Sequence, residues 1–109
     1  MNPAREVVYS VTLYVQEEIV SEWLTWMLNT HIPEVMATGC FEAYEIRRQL
    51  QPEDEGRTLF EIRYLSASID DYLRYQETHA LRLQAAHTAR FPGRFEATRR
   101  LFGSMETRS

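Results

Sequence analysis

The chain contains no lysine. All twelve of its basic residues are arginines, which excludes Schiff-base catalysis through a lysine amine and any phosphate loop that relies on a lysine. Cys40 is the one cysteine, so an intrachain disulfide and a thiolate metal cluster are both excluded, and a reducing, cytoplasmic setting is the expectation. Glycine is scarce, at four residues that stand singly. No glycine-rich phosphate cradle, dinucleotide fingerprint or nucleophile elbow can be built from them. No stretch approaches 18 apolar residues and the first six residues hold no apolar run, so neither membrane insertion nor secretion is expected. A basic surplus is missing too. The formal net charge is −4, which argues against a general nucleic-acid binder.

What is present is the composition of a globular domain, 44% apolar and 26% charged. With 109 residues there is room for one core. We read residues 1–109 as one domain, with an ordered core over about 6–102 and a loose tail over 103–109. A chain of this size buries a modest share of its surface, and a second copy would add to it. Charge is uneven along the chain: residues 1–55 hold ten acids and three arginines, whereas residues 56–109 hold six acids and nine arginines. Solvated surfaces account for this more simply than self-association through unlike patches.

Residues 7–15 alternate with period 2. Val7, Tyr9, Val11, Leu13 and Val15 share one face, and Val8, Ser10, Thr12 and Tyr14 the other, which reads as a strand. From Glu17 the period lengthens. Ile19, Val20, Trp23 and Met27 fall on one side of a helix with Leu24 and Trp26 at its edges. Pro33 disfavours helical geometry at Ile32, so the helix is expected to end near Thr30, break at His31-Ile32-Pro33 and resume for a short turn stopped by Gly39. Residues 41–50 and 58–66 read as two strands of a hairpin, joined by Gln51-Pro-Glu-Asp-Glu-Gly56. Ser68, with Asp71 three residues on, marks a helix start. Ile69, Leu73, Gln76, Ala80, Leu83 and His87 share its face, with Tyr72 at the edge, and Phe91-Pro92-Gly93 ends it. Residues 94–102 form a last strand.

The order strand, helix, strand, strand, helix, strand has one favoured solution under the rules for short, right-handed connections. It is the α+β, ferredoxin-like βαββαβ fold: a four-stranded antiparallel sheet of order 4-1-3-2 with both helices on one face. The other face carries Val8, Ser10, Thr12, Tyr14, Leu59, Glu61, Arg63 and Leu65. This mixture suits a homodimer in which two sheets pack face to face. RNA-recognition domains share the topology but place stacking aromatics where this chain has Glu61 and Arg63.

The candidate chemistry centres on His31. Beside the expected helix break it would lie close to Tyr72, Tyr75 and Gln76, where an imidazole could act as acid, base or ligand anchor; a ring that caps a free helix carbonyl is the structural alternative. Tyr72 and Tyr75 are the other catalytic candidates. Trp23, Trp26, Gln76 and His79 join His31 as candidate ligand-binding residues. His87 is expected to pair with Glu17 or Glu18 at the start of the first helix. Ligand spacings typical of metal sites are missing, and no metal or cofactor is expected.

Trp23-Leu-Thr-Trp-Met27, His31-Ile-Pro-Glu-Val35 and Ala37-Thr-Gly39, followed by Asp71-Tyr-Leu-Arg-Tyr75, Leu83-Gln-Ala-Ala-His87 and Arg90-Phe91 with Gly93 and Phe95, resemble a small bacterial family known as domain of unknown function 4286. The resemblance spans about residues 7–102 and implies the dimeric α/β-barrel form of the ferredoxin-like fold. It carries no established activity. More distantly the architecture is similar to cofactor-independent monooxygenases of the antibiotic-biosynthesis type and to small stress-response barrels. From these features the expected function is binding of a small molecule or a partner protein by a homodimer. The alternative is a monooxygenase- or isomerase-like enzyme acting on a small aromatic or polyketide-like substrate.

Overall fold

The computed structural model describes residues 6–108. Four strands, β1 (Val7–Gln16), β2 (Ala43–Arg48), β3 (Arg57–Ser66) and β4 (Phe95–Gly103), form one antiparallel sheet in the order β2-β3-β1-β4. This is the expected order, read from the opposite edge. The alternation of β1 is realised in full: Val7, Tyr9, Val11, Leu13 and Val15 are all buried. Phe60, Ile62 and Tyr64 of β3 lie on the same side, packed with Trp23, Met27 and Leu83 of the helices.

The first helical segment departs from expectation. It runs without a break through α1 (Val20–Trp26), one wide π-helical turn (Met27–His31) and α2 (Ile32–Ala37). Ile32 keeps helical angles, φ −61° and ψ −44°, although proline follows it. The reason is the wide turn. Proline brings no N–H and its ring crowds the carbonyl four residues back. Here the Ile32 N–H reaches back to Met27 O, five residues away, and the widened turn accommodates the ring that an α-helix would reject. The helix therefore ends at Thr38, followed by Gly39 in the left-handed conformation at φ +75°.

The second helical segment is interrupted instead. Ser68 caps α3 (Ile69–Thr78) by accepting from the Asp71 N–H at 3.1 Å. His79 then leaves helical geometry, with φ −123° and ψ −32°, before α4 (Ala80–Arg90). One non-helical residue breaks the 100° progression of side chains, so the buried face of α3 is not the one that a continuous helix predicts. Tyr75 is buried while Ile69 and Leu73 remain 45% exposed.

The bare face of the sheet is ordered in rows across the strands. Ala43, Leu65, Val8 and Phe102 stand side by side; the next row is Glu45, Arg63, Ser10 and Arg100, and the next Arg47, Glu61, Thr12 and Thr98. Glu61 accepts from the Ser10 hydroxyl at 2.7 Å and from Arg47. Burial opposes its charge, but these two partners and Arg63 prevail and hold its carboxyl below the usual range. Among the described residues, no helix is long and apolar enough to cross a membrane.

Candidate functional site

A cavity of about 30 Å³ lies between the helices and the sheet. Its polar lining is Tyr9, His31, Tyr64, Tyr75, Gln84, His87 and Arg99, and Leu13, Met27 and Ile62 contribute to its apolar lining. The two helix irregularities flank it. The wide turn begins at Met27 and ends at His31, both of which reach the cavity. The interruption at His79 separates Tyr75 on α3 from Gln84 and His87 on α4, and all three line the cavity. The volume is enough for a water or a group of two or three heavy atoms.

The two histidines face each other, ring centroids 5.1 Å apart. His87 is held on three sides. Trp23 donates its indole N–H to His87 Nε2 at 2.9 Å, Phe95 stacks flat on the ring at 3.8 Å, and Phe91 meets it edge-on. An indole can only donate, so Nε2 is the unprotonated nitrogen and Nδ1 carries the hydrogen of the neutral ring. His31 stacks on Trp26, centroids 5.2 Å apart. Among the described residues its ring nitrogens have no hydrogen-bond partner, and no side-chain polar atom is both sealed from solvent and unpartnered. The His31 nitrogens are therefore unpartnered but within reach of solvent, on a ring that lines the cavity.

Both rings are kept uncharged. Burial pushes His31 down to about 4, with the Arg99 charge adding to the effect. Burial, then the neighbouring His31 and Arg99, pushes His87 down to about 3. Tyr9 and Tyr75 are raised, chiefly by burial, while Arg99 pulls both back. The Tyr9 hydroxyl has Arg99 and Gln84 as polar neighbours. The site at neutral pH thus holds two neutral imidazoles, three neutral phenols (Tyr9, Tyr64 and Tyr75), one amide and one permanent positive charge.

Of the residues singled out from sequence, His31 and Tyr75 line the cavity, and Trp23 and Trp26 stand directly behind the two histidines. Tyr72 and Gln76 are turned to each other, the Gln76 amide donating to the Tyr72 hydroxyl at 2.6 Å, and do not line the cavity. Tyr72 instead packs its ring on Tyr9. His79 sits at the helix junction, its Nδ1 3.3 Å from Arg82, and is also outside the lining. Of the neighbours expected for His31, Tyr75 joins it at the cavity, whereas Tyr72 and Gln76 do not, because the helix does not break there; the loop after its end, Thr38–Phe41, packs against Ser66 and Tyr75. His87 does not pair with Glu17 or Glu18. Trp23 takes its Nε2, and Glu18 meets Arg94 instead.

Sequence reasoning missed Tyr9, Gln84 and Arg99. Tyr9 reads as one more core residue of an alternating strand. Arg99 had a usable signal: in a strand beginning at residue 94 it falls on the parity of Phe95 and Ala97, the helix-covered side, where a charge is unexpected. Among the described residues, no group of three or more histidine, cysteine, aspartate and glutamate side chains converges as a metal site would require.

Solved structures share this architecture at low identity. A Caulobacter crescentus CB15 protein assigned to the antibiotic biosynthesis monooxygenases superposes with a TM-score of 0.69 at 19% identity, over 94% of this chain and 92% of its own. Hydroxynitrile lyase from Passiflora edulis gives 0.69 at 12%, over 98% and 100%. SnoaB, a cofactor-independent oxygenase from Streptomyces nogalater, gives 0.65 at 14%, over 94% and 96%. At these identities the likeness is one of fold, which does not carry function with it. No curated protein matches the chain by sequence. The match that spans it is to a family, and over residues 6–105 the chain belongs to the family described as Domain of unknown function (DUF4286).

Proposed function

We propose that this protein binds a small organic molecule in the cavity between its helices and sheet, and does so as a homodimer paired through the bare sheet face. One observation carries the binding reading: His31 is buried, uncharged and without a hydrogen-bond partner among the described residues, at the wall of a cavity. A histidine retained only for structure normally spends its ring nitrogens on protein groups. The dimer rests on the apolar row Ala43, Leu65, Val8 and Phe102, of which Phe102 is 53% exposed. In the rows beside it Arg47 and Arg63 pair with Glu45 and Glu61, which lowers the cost of covering them, while Arg100 makes no such pair among the described residues and would need one from the second copy. Cys40, buried and free, suits a reducing compartment such as the cytoplasm.

The test is the native mass of the purified protein under gentle ionisation. Twice the chain mass with an added small-molecule mass is the expected result. A bare monomer would sink the dimer and leave recognition of a partner protein as the stronger idea.

An enzymatic reading is supported by the activities named for the structural neighbours. In it His31 would act as acid or base in oxidation or isomerisation of an aromatic or polyketide-like substrate. Two magnitudes weigh against it. A base performs best with a pKa near the working pH, and His31 at about 4 is some three units too weak at neutrality. A cavity of about 30 Å³ also excludes an aromatic ring unless the walls move. His31→Ala decides the point: loss of turnover with an unchanged far-UV spectrum would restore the enzyme.

A further inference from the structure

Arg99 is the one formal charge in the lining of the cavity, which contains no carboxylate. Seven other arginines sit against acidic side chains; among the described residues Arg99 makes no such pair. It projects from the helix-covered side of β4, lines the cavity and remains exposed, so Arg99 is the lining residue that joins the cavity to solvent at its mouth. Tyr9 and Gln84 are the polar groups beside it. Behind them the lining is apolar apart from Tyr64, Tyr75 and the two imidazoles.

A guanidinium matches the two oxygens of a carboxylate geometrically. A phenol hydroxyl and a side-chain amide can each donate one further hydrogen bond to them. The two histidines add no positive charge at neutral pH, so selection for an anion falls to Arg99, and the small apolar volume behind it limits what the anion can carry. We propose that the ligand is a small carboxylate, its anionic end held at the mouth by Arg99, Tyr9 and Gln84 and its short apolar tail directed inward toward His31 and His87. This rests on the binding reading above and adds the charge and size of the ligand.

The probes are propionate and propionamide, equal in heavy atoms and differing in charge. Each is titrated into the uniformly labelled full chain at pH 7 while the side-chain signals of His31, His87 and Arg99 are followed by NMR. With so few atoms the affinity should lie in the millimolar range. Propionate is expected to shift these signals and to bind at least about ten-fold more tightly than propionamide, in line with a charge-assisted pair. Arg99→Gln should abolish the preference, and Arg100→Gln, on the opposite side of the sheet, should keep it. Equal affinity of the two probes for the wild-type protein, or an undiminished preference in Arg99→Gln, would overturn the carboxylate assignment and leave the pocket standing. If neither probe moves any signal, the binding reading falls with it. The wild-type comparison decides even where a variant does not fold.

Discussion

The Trp23 indole N–H points at His87 Nε2 across 2.9 Å, joining the first helical segment to α4 beneath the cavity. Trp23 is fully buried and His87 nearly so. The bond fixes which nitrogen of His87 carries the hydrogen, and it is a buried polar tie between the two helical segments, whose other polar contact among the described residues is the exposed Arg90–Glu22 ion pair at 3.5 Å. Trp23→Phe would leave Nε2 unpartnered and remove part of the ring. Stability should fall by about 2–4 kcal/mol, the sum of an orphaned buried acceptor and a partly filled cavity. Denaturant midpoints measure the loss. Long-range nitrogen–proton NMR should in addition find His87 no longer held as a single Nδ1–H tautomer.

The two histidines also set the response to acid. Both have folded-state pKa values below the ordinary 6.5, at about 4 and about 3. Below pH 6.5 the unfolded chain therefore binds protons that the folded chain refuses. Stability is fully present above that pH and is lost as the pH falls toward 4 and then 3. Each unit of displacement is worth about 1.4 kcal/mol, so the pair withdraws several kcal/mol from a fold whose total is on the order of 5–15. Denaturant midpoints should be flat between pH 8 and 7 and fall steeply from 6 to 4. His31→Gln, which cannot titrate, should make that fall shallower; an equal slope would remove His31 from the account.

Much of the fold was legible because the strands alternate cleanly. The period of β1 alone divides the sheet into a buried and a bare face, and the turn chemistry at Gly56 and the Ser68 cap fixes where neighbours begin. The helices were harder. Proline at position 33 is a local signal for a break, but tertiary packing of Met27, His31, Ile32 and Val35 on one side keeps the helix continuous through a widened turn, and no local preference reports that. The interruption at His79 has no glycine or proline to announce it, which is why Tyr72 and Gln76 were expected at the site and Tyr9, Gln84 and Arg99 were not. His31 and Tyr75 could be found because a titratable ring and a phenol near a helix face stand out without knowledge of the exact angle. Arg99 could be found from its parity with Phe95 and Ala97 in the last strand, but that this face turns to the same cavity as His31 follows only once the sheet is assembled.

Across the bare face, Phe102 lies in register with Val8 and Leu65. If this row is the centre of a dimer, a charge placed there meets its own copy or the facing row and cannot be hydrated. Phe102→Asp should convert the protein from twice the chain mass to the chain mass in solution scattering. Because Phe102 is half exposed in the single chain, the far-UV spectrum should stay as it is. A dimer that survives this substitution is paired through some other surface.

Two serines near the start of α3 separate a fully buried contact from a half-buried one. Ser68 caps the helix through the Asp71 N–H, and loss of such a cap costs about 1 kcal/mol. Ser66 is completely buried and its single hydroxyl hydrogen is shared between Cys40 O at 2.9 Å and Ser68 O at 3.0 Å, tying the exit of the first helix to the entry of the second. Ser66→Ala leaves buried carbonyl oxygen short of a donor in a place water does not reach, a loss of about 1–3 kcal/mol. The ordering is the prediction: Ser66→Ala should lower the denaturant midpoint more than Ser68→Ala. Since this tie sets where α3 begins, and α3 carries Tyr75 to the cavity, Ser66→Ala should also shift the His31 and His87 side-chain resonances, while Ser68→Ala should leave them nearly in place. The reverse order would mean that the helix start is held by its cap alone, and that the approach of the two helical segments is set by the histidine–tryptophan seam.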